Sequence, residues 1–370
     1  MGTKILHIYK DYYPVLGGME NHIKMLSESL VQRGYEVTVL VTHPTSQTHV
    51  EEINGVHVIK AGRLATVAST PLSVALPAWL WRQRPDIAHL HFPYPVGEVS
   101  QLCFGRARRV VMTYQSDVVR QKGILQFYRP LLWQVLRRVD CIIATSTNYI
   151  ESSPYLSRLR DKCSVIPLGI ELGRFLQVPS AHVQRIKDTY GTPLVLFVGK
   201  LRYYKGLQYL LQAMLEIPAR LLVVGSGPMG AEWRRLAQTL ELGDRVVFLG
   251  EVSDEELPAY YHASDLFVLP ASERSEAFGT VQLEAMASGL PVVCTELGTG
   301  TSFVNVHGQT GLVVPARDVQ SLGAAMRMLL QDQALRREMG RRAQQRALDE
   351  FSLPLMVDRV ARLYAQVLAT

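Results

Sequence analysis

Cysteine is scarce in this chain and shows no pairing pattern. Cys103, Cys141, Cys163 and Cys294 are the four among 370 residues, and no C-x-x-C joins any two of them. This argues against a disulfide framework or a zinc cage and for reduced thiols in a cytosolic setting. Long apolar runs are missing too. The uncharged stretch Leu64 to Trp81 is broken by Pro71 and Pro77 and diluted with serine and threonine, which disfavours a spanning helix. The first apolar segment, Ile5 to Tyr9, is short and is followed at once by Lys10 and Asp11. No secretory signal is read there, so the expectation is a cytoplasmic protein, soluble or peripheral on the inner face of the membrane.

The chain is too long for one ordinary core and suits two domains. At 48% hydrophobic and 19% charged residues it reads as globular. A formal charge of +6 favours anionic partners without choosing among nucleotide, nucleic acid and membrane. Basic residues are spread through loops and helix faces with no recognised nucleic-acid module, so nucleic acid is disfavoured as a partner.

Lys4 to Tyr9 reads as a strand. It runs into a loop with Gly17-Gly18, and then into a helix with Ile23, Leu26 and Leu30 at i, i+3 and i+7. The glycines allow close backbone approach to a ligand, or serve as the tight turn of an ordinary α/β unit. Further strands fit Glu36–Thr42, Val56–Lys60, Asp86–His91, Arg109–Thr113, Asp140–Ala144 and Cys163–Ile166. Alternation with helices predicts a doubly wound, largely parallel sheet with ligands at the carboxyl ends of its strands. His89 and His91 share one strand face, but no third metal ligand is near in sequence, so packing or ligand contact is the favoured reading. Asp117 follows Thr113-Tyr114-Gln115-Ser116 and serves either as an acceptor for a hydroxyl or as a helix N-cap. From Val118 to Val139, five basic residues are interleaved with large apolar ones. This is a core helix for Leu132 and Leu136, with a basic end that suits anionic lipid.

The apolar pattern weakens between Glu171 and Tyr190. The reading is therefore a first domain over 1–175, a linker over 176–190 and a second α/β domain over 191–350. Strands in the second half fit Leu194–Val198, Arg220–Val224, Val246–Leu249, Leu266–Leu269 and Val292–Cys294. After the first of these comes Gly199-Lys200-Leu201-Arg202-Tyr203-Tyr204-Lys205-Gly206. Cations at a strand-to-helix turn suit a diphosphate, although many such runs are solvated loops. Gly225-Ser226-Gly227-Pro228 ends the next strand and is read as a close-approach turn without G-x-G-x-x-G spacing, so a dinucleotide site is not supported.

Ser272 to Pro291, SERSEAFGTVQLEAMASGLP, places a glutamate on each side of a predicted helix start near Gly279. The first N–H groups of that helix suit phosphate, and Glu284 lies roughly 7 Å further along the axis at about 1.5 Å per residue. A ligand with hydroxyls at both ends and phosphate between them, such as a nucleotide-sugar, has this layout.

Taken together, these stretches resemble the retaining nucleotide-sugar glycosyltransferases of family 4. The resemblance covers nearly the full chain and rests on the E-x7-E pattern Glu276/Glu284, supported by Gly17-Gly18, VIPLGI (Val165 to Ile170), VGKLRYYKGL (Val198 to Leu207), VVGSGP (Val223 to Pro228) and TGLVVP (Thr310 to Pro315). It implies an α/β GT-B fold, two Rossmann-like doubly wound domains facing a central cleft. The tail 351–370 would complete the first, acceptor-side domain.

The resemblance also implies roles. Glu276 and Ala277 would meet the donor sugar, Phe278, Gly279 and Thr280 would offer backbone N–H groups, and Glu284 would take the ribose diol. Lys200 and Lys205 would hold the diphosphate, aided by Gly17, Gly18 and Gly225. Relatives usually have arginine at the Lys200 position, and lysine lacks its bidentate fork. No D-x-D occurs, which agrees with metal-independent transfer without a cofactor. Glu276, Lys205, Asp117 and Gln115 are the implied catalytic set. Many relatives carry histidine where Gln115 stands beside Asp117, contacting donor sugar or phosphate and contributing to catalysis. Because glutamine cannot carry a proton, the expectation is reduced but real activity. The implied function is transfer of a hexose, with mannose from GDP-mannose as the donor of the nearest analogy, to a saccharide or lipid-linked acceptor in polysaccharide or lipopolysaccharide assembly. The rivals are a nucleotide-sugar epimerase or hydrolase of the same fold and a non-catalytic nucleotide-sugar-binding subunit.

Overall fold

The computed structural model describes residues 2–15, 17–67, 70–117 and 122–370, with backbone alone for 122–127. Contacts divide the chain into two compact units, Met1–Leu168 joined by Leu353–Thr370, and Gly169–Ser352.

In the first unit the strands are β1 (Lys4–Ile8), β2 (Glu36–His43), β3 (His49–Ile53), β4 (Val56–Gly62), a small ribbon of β5 (Ala65–Val67) and β6 (Thr70–Leu72), then β7 (Ile87–Phe92), β8 (Arg109–Tyr114), β9 (Cys141–Ala144) and β10 (Cys163–Val165). All but the ribbon form one sheet in the order β10-β9-β8-β7-β1-β2-β4-β3. It is parallel except where β3 runs antiparallel to β4 at the edge. The central strands are near-continuous apolar runs because helices cover both faces: Val37, Val39, Leu40 and Val41 are all buried. The helix Gly18–Gln32 buries Ile23, Leu26 and Leu30, as its spacing predicts. The helix Leu353–Ala369 buries Met356, Val357, Val360 and Tyr364 and belongs to this unit.

The second unit has six parallel strands: β11 (Leu194–Val198), β12 (Arg220–Val224), β13 (Val246–Gly250), β14 (Leu266–Leu269), β15 (Val292–Glu296) and β16 (Gly311–Pro315). Their order is β13-β12-β11-β14-β15-β16. The core packs Phe197, Leu210, Leu221, Trp233, Val268 and Met326 between sheet and helices. A fully buried side chain of this kind contributes about 1.5–3 kcal/mol. Residues 176–190, expected as a linker, include a helix, Ser180–Tyr190, whose Ile186 is buried within this unit.

In both sheets the order in which the chain adds its parallel strands reverses once, between β1 and β7 and between β11 and β14. The loops leaving the carboxyl ends of the strands at such a switch point are where open α/β sheets bind ligands. In the second unit the two loops are the Gly199–Gly206 and Pro270–Gly279 stretches. Among the described residues, no helix is long and apolar enough to cross a membrane.

Candidate active site

The lysine loop after β11 is laid directly on the loop after β14. Gly206 has φ +69°, and a Cβ there would overlap the Pro270 carbonyl oxygen, so only glycine allows the approach. The Ser272 N–H donates to the Tyr204 carbonyl at 2.8 Å and fixes the register of the two loops. That register brings Lys205 to Glu276. Nζ stands 2.7 Å from Oε2, with the two side chains 10% and 9% exposed. The contact lies outside hydrogen-bond angles, so it joins charge to charge. Taking both ions out of water is costly, and each depends on the other for compensation.

From Glu276 the backbone turns through Gly279 into the helix Val281–Ala287. Gly279 has φ +75°, and a Cβ would come within 2.7 Å of Leu269. Phe278 is buried, its ring edge-on to Phe351 at 6.1 Å. The helix starts two residues beyond the expected Gly279, because the Gln282 N–H first closes a tight turn onto the Gly279 carbonyl at 2.9 Å. Glu284 sits in the first turn. Its Oε2 accepts from the Tyr261 hydroxyl at 2.7 Å, and burial holds its carboxyl above the ordinary range while that hydroxyl opposes the rise. One of its two oxygens is thus already engaged by protein.

Gly225 and Gly227 have positive φ, and a Cβ on Gly225 would overlap the Gly199 carbonyl, while one on Gly227 would reach within 2.7 Å of the Leu201 backbone. Their lack of a side chain serves backbone-on-backbone packing of the β12 loop against the lysine loop, not ligand approach alone. Gly230 completes G-x-G-x-x-G spacing with them, which corrects the reading that no such spacing occurs. Lys200 projects from this packed loop with its side chain exposed; the Leu201 N–H beside it donates to Ser226 at 2.8 Å.

In the first unit, Gly17 caps the helix Gly18–Gln32 in an extended conformation, and a Cβ there would overlap the Glu20 carboxylate. A Cβ on Gly18 would meet nothing within 4 Å. Gln115 and Asp117 follow β8. Gln115 is buried, its Nε2 has no hydrogen-bond partner, and its N–H donates to the Phe92 carbonyl at 3.4 Å. Asp117 Oδ1 accepts from the Tyr114 hydroxyl at 2.8 Å and the Ser153 hydroxyl at 3.3 Å, which orients it. Its reading as an N-cap concerns 118–121, outside the described residues. The basic segment is the helix Lys122–Arg138, with Leu132 and Leu136 buried and Leu131 exposed.

The third partner that His89 and His91 lack in sequence stands on the next strand. His7, His89 and His91 are buried together, their nearest ring nitrogens within 4.8 Å of one another. His7 Nδ1 lies 3.0 Å from His91 Nε2. Both His89 nitrogens are engaged, by Tyr364 at 2.5 Å and Thr113 at 2.6 Å, so metal ligation by His89 would require breaking one of these bonds. Burial lowers His7 to about 3 and nearby His22 to about 4.

The chain matches the family description "Glycosyl transferases group 1" over residues 183–346 and "Glycosyltransferase Family 4" over residues 16–174. It is 37% identical over 368 residues to the O-antigen chain mannosyltransferase C of Escherichia coli, covering 99% of each chain. The chain belongs to the family 4 glycosyltransferases. It is also 37% identical to the D-rhamnosyltransferase WbpZ of Pseudomonas aeruginosa, over 94% of this chain and 92% of that one. The sucrose-phosphate synthase of Thermosynechococcus elongatus superposes with a TM-score of 0.81 at 26% identity, covering 99% of each chain. The fold is GT-B.

Within this glycosyltransferase the second unit holds Lys205, Glu276, Ala277, Phe278, Gly279, Thr280 and Glu284 on adjoining turns, with Lys200 and Gly225 on the neighbouring loop. Gly17, Gly18, Gln115 and Asp117 belong to the first unit. Sequence reading missed Tyr261, 23 residues before its partner Glu284, and the Thr299 loop. One tyrosine of the Tyr260-Tyr261 pair in a short, mostly buried helix carries no signal of its partner.

Proposed function

We propose that this glycosyltransferase moves a hexose with retention and without a metal, from a nucleotide-sugar of the GDP-mannose kind to a saccharide on a lipid carrier in O-antigen-type polysaccharide assembly. The observation that carries the reading is the buried Lys205–Glu276 pair at the turn leading to Glu284. Without donor, each charge neutralises the other. A diphosphate entering beside Lys205 would share that cation, and Glu276 would then turn its acceptors to sugar hydroxyls. As the glycosidic bond breaks, charge grows on the leaving diphosphate, where Lys205, Lys200 and backbone N–H groups supply compensation that a metal supplies elsewhere. The departing phosphate takes the acceptor's proton, so no separate covalent nucleophile is invoked. Glu284 receives the ribose diol on the oxygen that Tyr261 leaves open. The first unit is assigned the acceptor, and Gln115 and Asp117 are its contribution to catalysis.

The two relatives at 37% identity are named for mannosyl and rhamnosyl transfer, which favours a mannose-type donor sugar, and the first is named for the O-antigen chain, which favours that setting. A thermal-shift screen of UDP-, GDP-, ADP- and dTDP-sugars followed by transfer assays tests the proposal, since a ligand bound to the native state raises apparent stability. Selective stabilisation by a GDP-sugar and acceptor-dependent product support it. Donor conversion without acceptor would replace it with an epimerase or hydrolase, and binding with no turnover for any acceptor would replace it with a binding subunit.

A further inference from the structure

The loop between β15 and the helix Gly300–Val304 lies against the turn that begins at Glu276. Thr299, fully buried, donates its hydroxyl to the Glu276 carbonyl at 2.8 Å. The Gly300 N–H donates to the Ala277 carbonyl at 2.7 Å. A Cβ on Gly300 would overlap the Phe278 ring and come within 2.8 Å of the Ala277 oxygen, so glycine is required for this approach. Gln282, also fully buried, donates its amide to the Phe278 carbonyl and to the Thr301 carbonyl, each at 3.3 Å. Three consecutive carbonyls are therefore drawn to one polar cluster, itself tied to β15 by the Thr301 hydroxyl on the Thr295 carbonyl at 3.1 Å.

In a trans peptide the carbonyl of one residue and the N–H of the next point in opposite directions. Pinning the carbonyls of Glu276, Ala277 and Phe278 thus turns the N–H groups of Ala277, Phe278 and Gly279 away from the cluster. Successive N–H groups on one side of a turn form a concave anion site. We infer that Thr299 is a positioning residue for donor phosphate, acting with Gly300 and Gln282 by holding three backbone donors outward. The inference rests on the donor site proposed above and adds to it residues outside the E-x7-E stretch. It also accounts for a buried threonine and a buried glutamine whose side chains bond backbone carbonyls of a turn and not a ladder.

Thr299→Val keeps shape and removes the hydroxyl, and Thr299→Ser keeps the hydroxyl. Calorimetry on the full-length protein would use GDP, UDP, ADP and dTDP, and then the nucleoside of whichever diphosphate the wild type binds. Thr299→Val is expected to bind that diphosphate about tenfold more weakly, the scale of one misplaced hydrogen bond, while nucleoside affinity stays at the wild-type value. Thr299→Ser restores the diphosphate affinity. Gln282→Met, which frees the Phe278 carbonyl, is expected to show the same diphosphate-selective loss and serves if Thr299→Val does not fold. Unchanged diphosphate binding in both variants, or equal loss for diphosphate and nucleoside, overturns the inference and leaves the proposed function standing. A wild type that binds none of the four diphosphates overturns the proposed function and this inference with it.

Discussion

Replacing Tyr261 with phenylalanine removes one hydroxyl and keeps the ring that packs edge-on to Phe175 at 5.7 Å and against Phe267 at 5.8 Å. What is lost is the 2.7 Å bond to Glu284 Oε2. A hydrogen bond to a charged group contributes about 1.5–3 kcal/mol. Glu284 is only half-buried, so water replaces part of the loss and the lower end applies. The bond is already made without donor, so its loss is expected as about 1.5 kcal/mol of unfolding stability at neutral pH. Donor KM is expected to rise because Glu284 loses its fixed orientation, with kcat little changed, since a ribose contact binds ground and transition states alike. The pH dependence follows from the same bond. Burial raises the Glu284 carboxyl and the hydroxyl opposes that rise, so its removal raises the carboxyl further. A carboxyl raised on folding contributes stability below its unfolded value and loses that contribution as pH climbs through the folded one. The melting-temperature gap between wild type and Tyr261→Phe should therefore be smallest in acid and widen toward neutrality. An unchanged donor KM, or a gap that widens toward acid, would refute the reasoning.

Lys205→Met leaves Glu276 buried without its cation and should cost about 3–5 kcal/mol in denaturant unfolding; adding Glu276→Gln should recover much of it, and strictly additive losses would show that the pair is not coupled. Gln115→His should raise the transfer rate, and no gain would sink the view that the glutamine limits catalysis. Because folding holds His7 and His22 at about 3 and 4, below the ordinary 6.5, the stability they contribute above 6.5 should drain away as pH falls toward those values. His22→Leu should make the acid limb of a melting-temperature profile shallower, and an identical limb would refute that assignment. Vesicles with anionic lipid should retain the protein in a salt-sensitive way through the helix Lys122–Arg138, and equal binding to neutral vesicles would remove the electrostatic argument.

Much of the architecture was legible because parallel strands covered on both faces are plain apolar runs, as in Leu194–Val198 and Leu266–Leu269. Strand β3 escaped notice because it is an edge whose residues are largely exposed. The helix Gln333–Glu350 escaped for a different reason. It buries only Met339, Gly340, Ala343 and Ala347, a stripe of mostly small residues amid arginine and glutamine, so no apolar face stands out. At the site, residue types and their local spacing could be read, whereas partnerships could not. Lys205 and Glu276 are separated by 71 positions, and Thr299 reaches Glu276 through a backbone atom that no side-chain pattern encodes. Gly225 was read toward a ligand because sequence shows that a side chain is missing and not what occupies its place.

The helix Leu353–Ala369 completes the first unit, yet it follows the whole of the second along the chain. During synthesis, Gly169–Ser352 can close its core while the surface meant for Val357, Val360 and Tyr364 is still bare. His89 waits for Tyr364 across 275 residues. The unit that emerges first from the ribosome is therefore the last to be finished, and its exposed sheet face is the part of the nascent protein most in need of protection.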